Sequence, residues 1–468
     1  MFKRSFILFL FLTTCLYNVK SQDTFYPAAN NFSSEKKYTY HVILPKETMY
    51  SVSKKYNIKE EELAEANPGL CVQTFFIGKM IKIPLNNANN TITTPAGYDY
   101  REERTTILTI RDNFINVALL LPFGVKEKTN PANLQLKMVE YYEGFLLALD
   151  SLKKKGISVH VFVRDIGNDT KFLRQTLQTD DFKKMNLIIG GFADEQIKLL
   201  SEFSNQHEIP YIVPFASKCD EILKNPFLFQ INTPAGYLYT RASKAFLNKY
   251  RNYNIIFIQE DNADRADFLF ILKNDLAVEN IPYTVIDYSG KFVSELQSKL
   301  NTFKNNILIP SSGKQEFLSK ILPTLTTISQ KPEYNLSLFG YPEWQTYDLG
   351  DLSENLYDLN TTIYTNFYIK QNTPEARNFY RRFFKWYSRP TSNSYPKYSV
   401  LGYDTGMFFI QIINKFGASF ETNINNFRYE GIQTNFHYQR INDWSGMVNA
   451  NVFFVNFNAD SSVTRETK

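Results

Sequence analysis

From residue 114 onward the chain repeats one unit: a short apolar run, a turn, an amphipathic helical stretch, then another apolar run. Ile115–Leu121 is apolar at every position but Asn116 and ends at Pro122-Phe123-Gly124. A run without polar alternation reads as a strand buried on both faces. Met138, Tyr141, Tyr142, Phe145, Ala148, Leu149 and Leu152 then recur at spacings of three and four and halt at Gly156, the pattern of a long amphipathic helix. Further strands are read at 157–163, 187–191 and 211–214, and the rhythm restarts at 255–258, 283–286, 307–310 and 336–340. Strands alternating with helices specify parallel sheets covered on both faces, and two such sets predict two α/β lobes. The chain is then read as crossing back through Thr362-Ile363-Tyr364 into helices at 375–387 and 398–416.

Composition excludes several function classes. A chain that is 43% hydrophobic, 16% aromatic and 21% charged folds. Its net charge of +5 over 468 residues is a mild bias and does not predict a nucleic-acid partner, which needs basic residues gathered on one face. Four histidines and three cysteines, with no HxxxH, HExxH or CxxC spacing, predict no metal site, and no cofactor or catalytic residue is expected.

Lys3 and Arg4 precede seven apolar residues, Phe6 to Leu12, and a polar stretch follows. This is the layout of a secretory signal, too short to span a bilayer, with cleavage expected before Gln22. The rival is a lipoprotein signal at Leu12-Thr13-Thr14-Cys15, with Cys15 acylated as a lipid anchor. No later run reaches 18 uninterrupted apolar residues, so no transmembrane segment is expected after cleavage, and the address is the periplasm or cell envelope. The organisation is therefore read as a signal peptide (1–21), a flexible segment (22–37), a dense module (38–84), an Asn/Thr-rich linker (85–113), the two-lobed body (114–458) and a frayed tail (459–468). Lobe 1 is assigned about 114–234 and 346–425, and lobe 2 about 235–345 and 426–458.

The dense module reads as β-α-α-β. Tyr38 to Val42 alternates like a strand, Thr48 stands where a helix N-cap belongs, and Met49, Val52, Ser53 and Tyr56 follow at helical spacing. A second helix begins at Lys59, carries Glu60, Glu61 and Glu62 in its first turn and stops at Asn67-Pro68-Gly69. Residues 78–84 close the unit as a strand. Tyr40-His41-Val42, Glu47-Thr48-Met49, Tyr56-Asn57-Ile58, Leu63, Asn67-Pro68 and Gly78 through Ile81-Lys82-Ile83-Pro84 resemble the LysM domain, which binds peptidoglycan and other N-acetylglucosamine-containing glycans. The resemblance implies a shallow groove with Glu47, Thr48 and Met49 on one wall and Asn67, Pro68, Ile77 and Gly78 on the other. One departure stands out: Lys46-Glu47 replaces the Gly-Asp usual before the threonine.

The body is similar to type I periplasmic binding proteins, the fold of branched-chain amino acid binding proteins and of many receptor ligand-binding domains. The residues that carry this are 115–123, Tyr142-Glu143-Gly144-Phe145 through Leu149-Asp150, Ile188-Ile189-Gly190-Gly191, 209–214 and Gly402-Tyr403-Asp404. In an open parallel sheet a ligand sits outside the carboxyl ends of the strands. Two facing lobes then define a cleft lined by Phe123, Asp165, Phe192, Ser217, Asp261, Ser311 and Glu343. Ser217 falls where relatives use a hydroxyl to hold an amino acid's charged end, and Asp261 or Glu343 is suited to pairing with an ammonium. Where transport members carry Tyr-Gly, this chain has Asn262-Ala263-Asp264-Arg265, and Phe192-Ala193 replaces their usual Pro.

Together these readings predict an exported, non-enzymatic peptidoglycan-binding protein whose two-lobed domain binds or senses a small solute. The alternative is a cell-wall scaffold or activator of peptidoglycan synthesis that docks a cell-wall synthesis protein on that domain. A cell-wall hydrolase is the minor alternative, because LysM modules accompany such enzymes.

Overall fold

The computed structural model describes residues 38–43, 47–67, 70, 75, 80–84, 114–124, 133–167, 170–261, 263–442 and 444–468. The expected signal peptide, N-terminal segment and linker lie outside these residues, as do Cys15, Cys71, Pro68, Ile77 and Gly78.

The first module is built from β1 (Tyr38–Val42), α1 (Met49–Lys55), α2 (Glu60–Ala66) and β2 (Met80–Pro84), with β1 and β2 antiparallel. Thr48 caps α1: its Oγ1 accepts from Ser51 N at 3.1 Å, while Ser51 Oγ accepts from Thr48 N at 2.8 Å. Two of the helix's orphan donors are thereby satisfied. Asn57, at φ 49, takes the left-handed turn between the helices, a conformation asparagine tolerates better than most residues. Val52, Ile58, Leu63, Ile81 and Ile83 form the buried core of this small unit.

The body then runs β3 (Ile115–Leu121), α3 (Asn133–Lys153), β4 (Val159–Asp165), α4 (Lys171–Leu177), β5 (Leu187–Gly190), α5 (Asp194–His207), β6 (Tyr211–Val213) and β7 (Leu228–Gln230). It continues through α6 (Ala235–Tyr250), β8 (Asn254–Gln259), α7 (Ala266–Val278), β9 (Tyr283–Asp287), α8 (Phe292–Lys299), β10 (Asn306–Pro310), α9 (Gln315–Ser329) and β11 (Leu336–Gly340). After α10 (Asn355–Asp358) come β12 (Thr362–Thr365), α11 (Pro374–Tyr387), α12 (Tyr398–Phe416) and α13 (Phe420–Asn423). Four strands close the chain: β13 (Tyr438–Arg440), β14 (Met447–Asn449), β15 (Phe453–Phe457) and β16 (Val463–Thr467).

These strands form two seven-stranded sheets, ordered β4-β3-β5-β6-β7-β14-β13 and β9-β8-β10-β11-β12-β15-β16. The winding is the same in both: the first strand sits between the second and the third, and the antiparallel strands are confined to one edge. The expected two-lobed α/β body with parallel sheets is what the chain adopts. The fully apolar strand runs follow from burial on both faces: every residue of β10 is buried, and Ile309 and Leu119 have no exposed surface.

Three assignments made from the sequence are corrected. Thr362–Thr365 was expected in lobe 1 but lies in the second sheet, between β11 and β15. Residues 438–449 were expected in lobe 2 but carry β13 and β14, and β14 joins the first sheet beside β7. The supposed frayed tail is the edge strand β16, antiparallel to β15. It is held by Arg465, whose side chain is 4% exposed and donates to the carbonyls of Tyr368 and Ile432 and to Glu430.

Lobe 1 depends on a close helix pair. Gly144 of α3 lies against the carbonyl of Ser399 in α12, and Gly402 of α12 against the carbonyl of Tyr141. A Cβ at Gly144 would stand 1.7 Å from the Ser399 oxygen, so only glycine permits this approach.

Candidate functional site

Three links join the lobes, leaving the carboxyl ends of β7, β12 and β14, each of which runs parallel to the central strands of its sheet. The carboxyl edges of both sheets therefore adjoin the links, and the links bond to one another. Asn366 Nδ2 donates to Asn232 Oδ1 at 3.0 Å and Thr233 Oγ1 to Asn451 O at 3.5 Å, while Thr434, on the segment before β13, donates its Oγ1 to Asn366 O at 2.9 Å.

In each sheet the strand order reverses next to the first strand, at β3/β5 and at β8/β10. Such switch points open a crevice at the carboxyl ends, because the connections on either side lead to opposite faces. The segments after these strands hold Phe123, Phe192, Asp261 and Ser311, while Asp165 ends β4 and Ser217 follows β6.

On lobe 1 this edge is aromatic. Phe215 stacks on Tyr398 at 5.6 Å between centroids, meets Tyr141 edge-on at 4.9 Å and lies 6.2 Å from Phe192. Phe123 meets Tyr142 edge-on at 5.7 Å, and Lys137 Nζ lies 5.6 Å from the Tyr398 ring. Phe192 is 38% exposed, which leaves part of this wall open. Tyr142 and Tyr398 were not recognised as part of it from sequence, since they belong to helices whose apolar spacing reads as core. Asp165 is not an open carboxylate: its Oδ1 accepts from Phe123 N, Gly124 N and Gly167 N at 3.0, 3.3 and 3.0 Å and so shapes the loops after β3 and β4. Ser217 is exposed and makes no hydrogen bond among the described residues.

On lobe 2 the edge is charged, and most of that charge is spent internally. Arg265 Nη2 donates to Glu343 and lies 3.3 Å from Asp264 Oδ2, while the guanidinium sits 5.0 Å over the Tyr341 ring. Asp264 Oδ1 accepts from Gly313 N at 2.8 Å. The cluster packs so closely on Gly313 that a Cβ there would meet both Glu343 and Arg265. Glu343, suited on sequence grounds to an ammonium, is thus already paired with Arg265. Ser311 is buried and stitches strand ends together, its Oγ accepting from Glu260 N at 2.8 Å and its N–H donating to Ile258 O at 2.8 Å. Asp261 is exposed and has no ion-pair partner among the described residues.

In the first module, Glu47 and Thr48 lie together at the start of α1, with Met49 beside them. Glu47 Oε2 lies 2.6 Å from His41 Nε2, Glu47 Oε1 accepts from Lys55 Nζ at 3.2 Å, and His41 Nδ1 lies 3.0 Å from the Tyr56 hydroxyl. Burial, with the nearby Glu47 charge, pushes the Tyr56 hydroxyl up to about 12. Asn67 is committed to the scaffold. Its Nδ2 donates to Leu63 O at 2.7 Å and Lys82 O at 2.6 Å, and its Oδ1 accepts from Lys82 N at 2.7 Å. The other predicted groove wall, Pro68, Ile77 and Gly78, lies outside the described residues.

Residues 41–84 match the family model described as LysM domain. The chain carries a LysM domain. No curated protein matches the chain. Behind the LysM domain, the body is similar to solved substrate-binding proteins. One is a putative branched-chain amino acid ABC transporter from Rhodospirillum rubrum, at 13% identity and a TM-score of 0.50, covering 75% of this chain and 96% of that one. Another is an ABC transporter substrate-binding protein from Sphaerobacter thermophilus, at 14% identity and a TM-score of 0.45, covering 76% and 97%. At such identities the likeness is one of fold, and it is the two-lobed periplasmic binding fold. Among the described residues no helix is long and apolar enough to cross a membrane, and no group of three or more His, Cys, Asp or Glu is placed to hold a metal ion.

Proposed function

We propose that the protein is an exported, non-enzymatic binding protein of the cell envelope. Its LysM domain grips N-acetylglucosamine-containing peptidoglycan, and its two-lobed body binds a small solute between the switch points of the two sheets. The observation that carries this reading is the joining of a LysM domain to two sheets whose first five strands are wound alike and whose carboxyl edges meet at three links. A fold of this kind suits binding by lobe closure, with the links as hinges.

The chemistry of the edges narrows the solute. An amino acid's ammonium calls for a free carboxylate, and on lobe 2 Glu343 and Asp264 already face Arg265, which leaves the exposed Asp261 after β8 for that role. The open feature is the aromatic wall around Phe192 and Phe215, which favours a solute with an apolar ring or face. Muropeptides, released from the polymer that the LysM domain binds, offer sugar faces of that kind.

Thermal unfolding of the mature chain against an amino-acid and muropeptide library tests this. A bound solute at 100 times its Kd stabilises by about 2.7 kcal/mol, so a concentration-dependent rise is expected for a muropeptide and not for free amino acids. A flat response across the library leaves the body as a docking surface for a cell-wall synthesis protein. Failure to sediment with purified peptidoglycan refutes the glycan reading.

A further inference from the structure

Helix α11 presents two kinds of cation. Arg382 faces inward and is fully engaged, donating to Ser151 Oγ at 2.8 Å, Leu147 O at 2.8 Å and Asp150 Oδ2 at 2.9 Å. Just beyond the helix, Arg389 pairs with Glu140 and Glu143. Arg377, Arg381 and Lys385 differ from these. They stand four residues apart, so they form one row along the outer face of the helix, and all three are exposed. None has a carboxylate partner among the described residues; Arg381 donates only to Asn378 Oδ1, at 3.0 Å. Phe384 lies beside this row, three residues from Arg381, and is 59% exposed. The opposite face, with Ala376, Phe379 and Phe383, is buried against α3 and α12. The helix is fixed at both ends: Thr373 Oγ1 accepts from Ala376 N, and Ser388, in the left-handed conformation, donates to Phe384 O. The row is therefore presented on a rigid support.

We infer that the outer face of α11 is a second contact for peptidoglycan, in which Arg377, Arg381 and Lys385 pair with the carboxylates of the stem peptides and Phe384 covers an apolar sugar face. This inference rests on the LysM domain holding the chain to the same polymer. Three cations with no carboxylate partner among the described residues complement a polymer whose stem peptides carry free carboxylates, and arginine's fork suits a carboxylate in particular. The 29 residues of 85–113 span at most about 100 Å when extended, so the body stays close to whatever strand the LysM domain holds. Two weak contacts on one repetitive polymer then reinforce each other through effective concentration. Trp386, also exposed, projects from the far side of the last turn and lies outside the row.

The test is co-sedimentation of the full mature chain with purified, protein-free peptidoglycan at low and high salt. The variants are R377Q/R381Q/K385Q, F384S, W386A as a control, and N67A to disable the LysM domain. The triple variant is expected to bind about tenfold more weakly at low salt, from three exposed pairs of about 0.2–1 kcal/mol each, and to lose the salt dependence of the unaltered chain. F384S should weaken binding, W386A should match the unaltered chain, and amidating the polymer's carboxylates should reproduce the triple variant's loss. R377K/R381K, which keeps the charge, should retain most of the affinity, separating charge from any effect on folding. Triple-variant binding equal to that of the unaltered chain at both salts overturns this inference alone if N67A still abolishes binding. If N67A also binds normally while hydrogen exchange shows its α1 and α2 unfolded, the LysM reading falls with it. Loss of binding to anionic phospholipid vesicles with unchanged peptidoglycan binding would assign the row to a membrane and overturn the proposal.

Discussion

Replacing Asn67 by alanine separates a scaffold residue from a sugar contact. The side chain ties the end of α2 to β2 through three hydrogen bonds of 2.6–2.7 Å. Each is worth about 1 kcal/mol net, and water reaches part of this site, so the loss is about 2–3 kcal/mol. Residues 41–84, at about 0.05–0.15 kcal/mol per residue, hold only about 2–7 kcal/mol in all. Asn67→Ala therefore removes a large share of the stability of the LysM domain without touching the body. Because the chain has more than one cooperative unit, a single melting midpoint hides the effect. Amide hydrogen exchange read peptide by peptide reveals it. Protection of Met49–Lys55 and Glu60–Ala66 should fall about 30- to 150-fold, with β3 to β7 unchanged. Thr48→Ala, which removes one cap, should cost about 1 kcal/mol and a correspondingly smaller loss. If Asn67→Ala keeps wild-type protection in both helices and yet loses peptidoglycan binding, Asn67 is a contact residue and the scaffold argument fails.

Four further outcomes are expected. Arg265→Ala leaves Glu343 and Asp264 facing each other across Gly313 without their cation; with these groups a fifth to a third exposed, the cost is about 1–3 kcal/mol, read as a lower denaturant midpoint of the body, and Arg265→Lys should recover part of it. Burial raises the Asp404 carboxyl to about 6 against the opposing pull of the Gln433, Ile432 and Thr434 N–H groups. The folded chain thus holds a proton there that the unfolded chain, titrating near 3.9, releases, and this contribution to stability, about 3 kcal/mol, is lost as pH rises from about 4 to 6; Asp404→Asn should lose that dependence, and urea midpoints at pH 4 and 7 that shift in parallel with wild type refute the assignment. Gly144→Ala, with its Cβ driven against Ser399 O, must part α3 from α12 and should destabilise lobe 1 by about 3 kcal/mol, measured by chemical denaturation. Phe192→Ala should weaken solute binding in the thermal-shift assay while changing the midpoint of the free protein little, since the ring is already 38% exposed.

The two lobes were legible because strands buried on both faces leave no choice of residue: β3, β8, β10 and β11 stand out as apolar runs before any partner is known. The LysM domain was legible for a different reason, since its cap, turn asparagine and helix stop fall at fixed spacings. The chain's last third was not, because its strands are short, several of them carry polar residues, and their place is decided by partners far away. Thr362–Thr365 finds its neighbour β15 about 90 residues later, and nothing local in Thr-Ile-Tyr-Thr says which sheet will take it. β16 reads as a tail because its anchor is Arg465, a charge that sequence reasoning assigns to solvent and that here folds back over Phe453 and caps carbonyls from two loops.

The cleft shows the same limit at the level of chemistry. Switch-point topology locates Phe123, Phe192, Asp261 and Ser311 from strand order alone. Whether a carboxylate there is free depends on which cation the loops bring to it. Glu343 and Arg265 are 78 residues apart, and their pairing rests on Gly313 being small enough to let both settle on its backbone. The departure visible in the sequence, Asp264-Arg265 after β8, is therefore what engages Glu343: the arginine pairs with it and with Asp264, while Asp261 stays exposed. With these two acids held by Arg265, the proposed selectivity rests mainly on the aromatic edge of the other lobe. Freeing Glu343 and Asp264 by Arg265→Gln should then strengthen a weak, salt-sensitive response to amines in the thermal-shift assay; a variant that responds to amines no more than the wild type would mean that the pairing is not what limits their binding here.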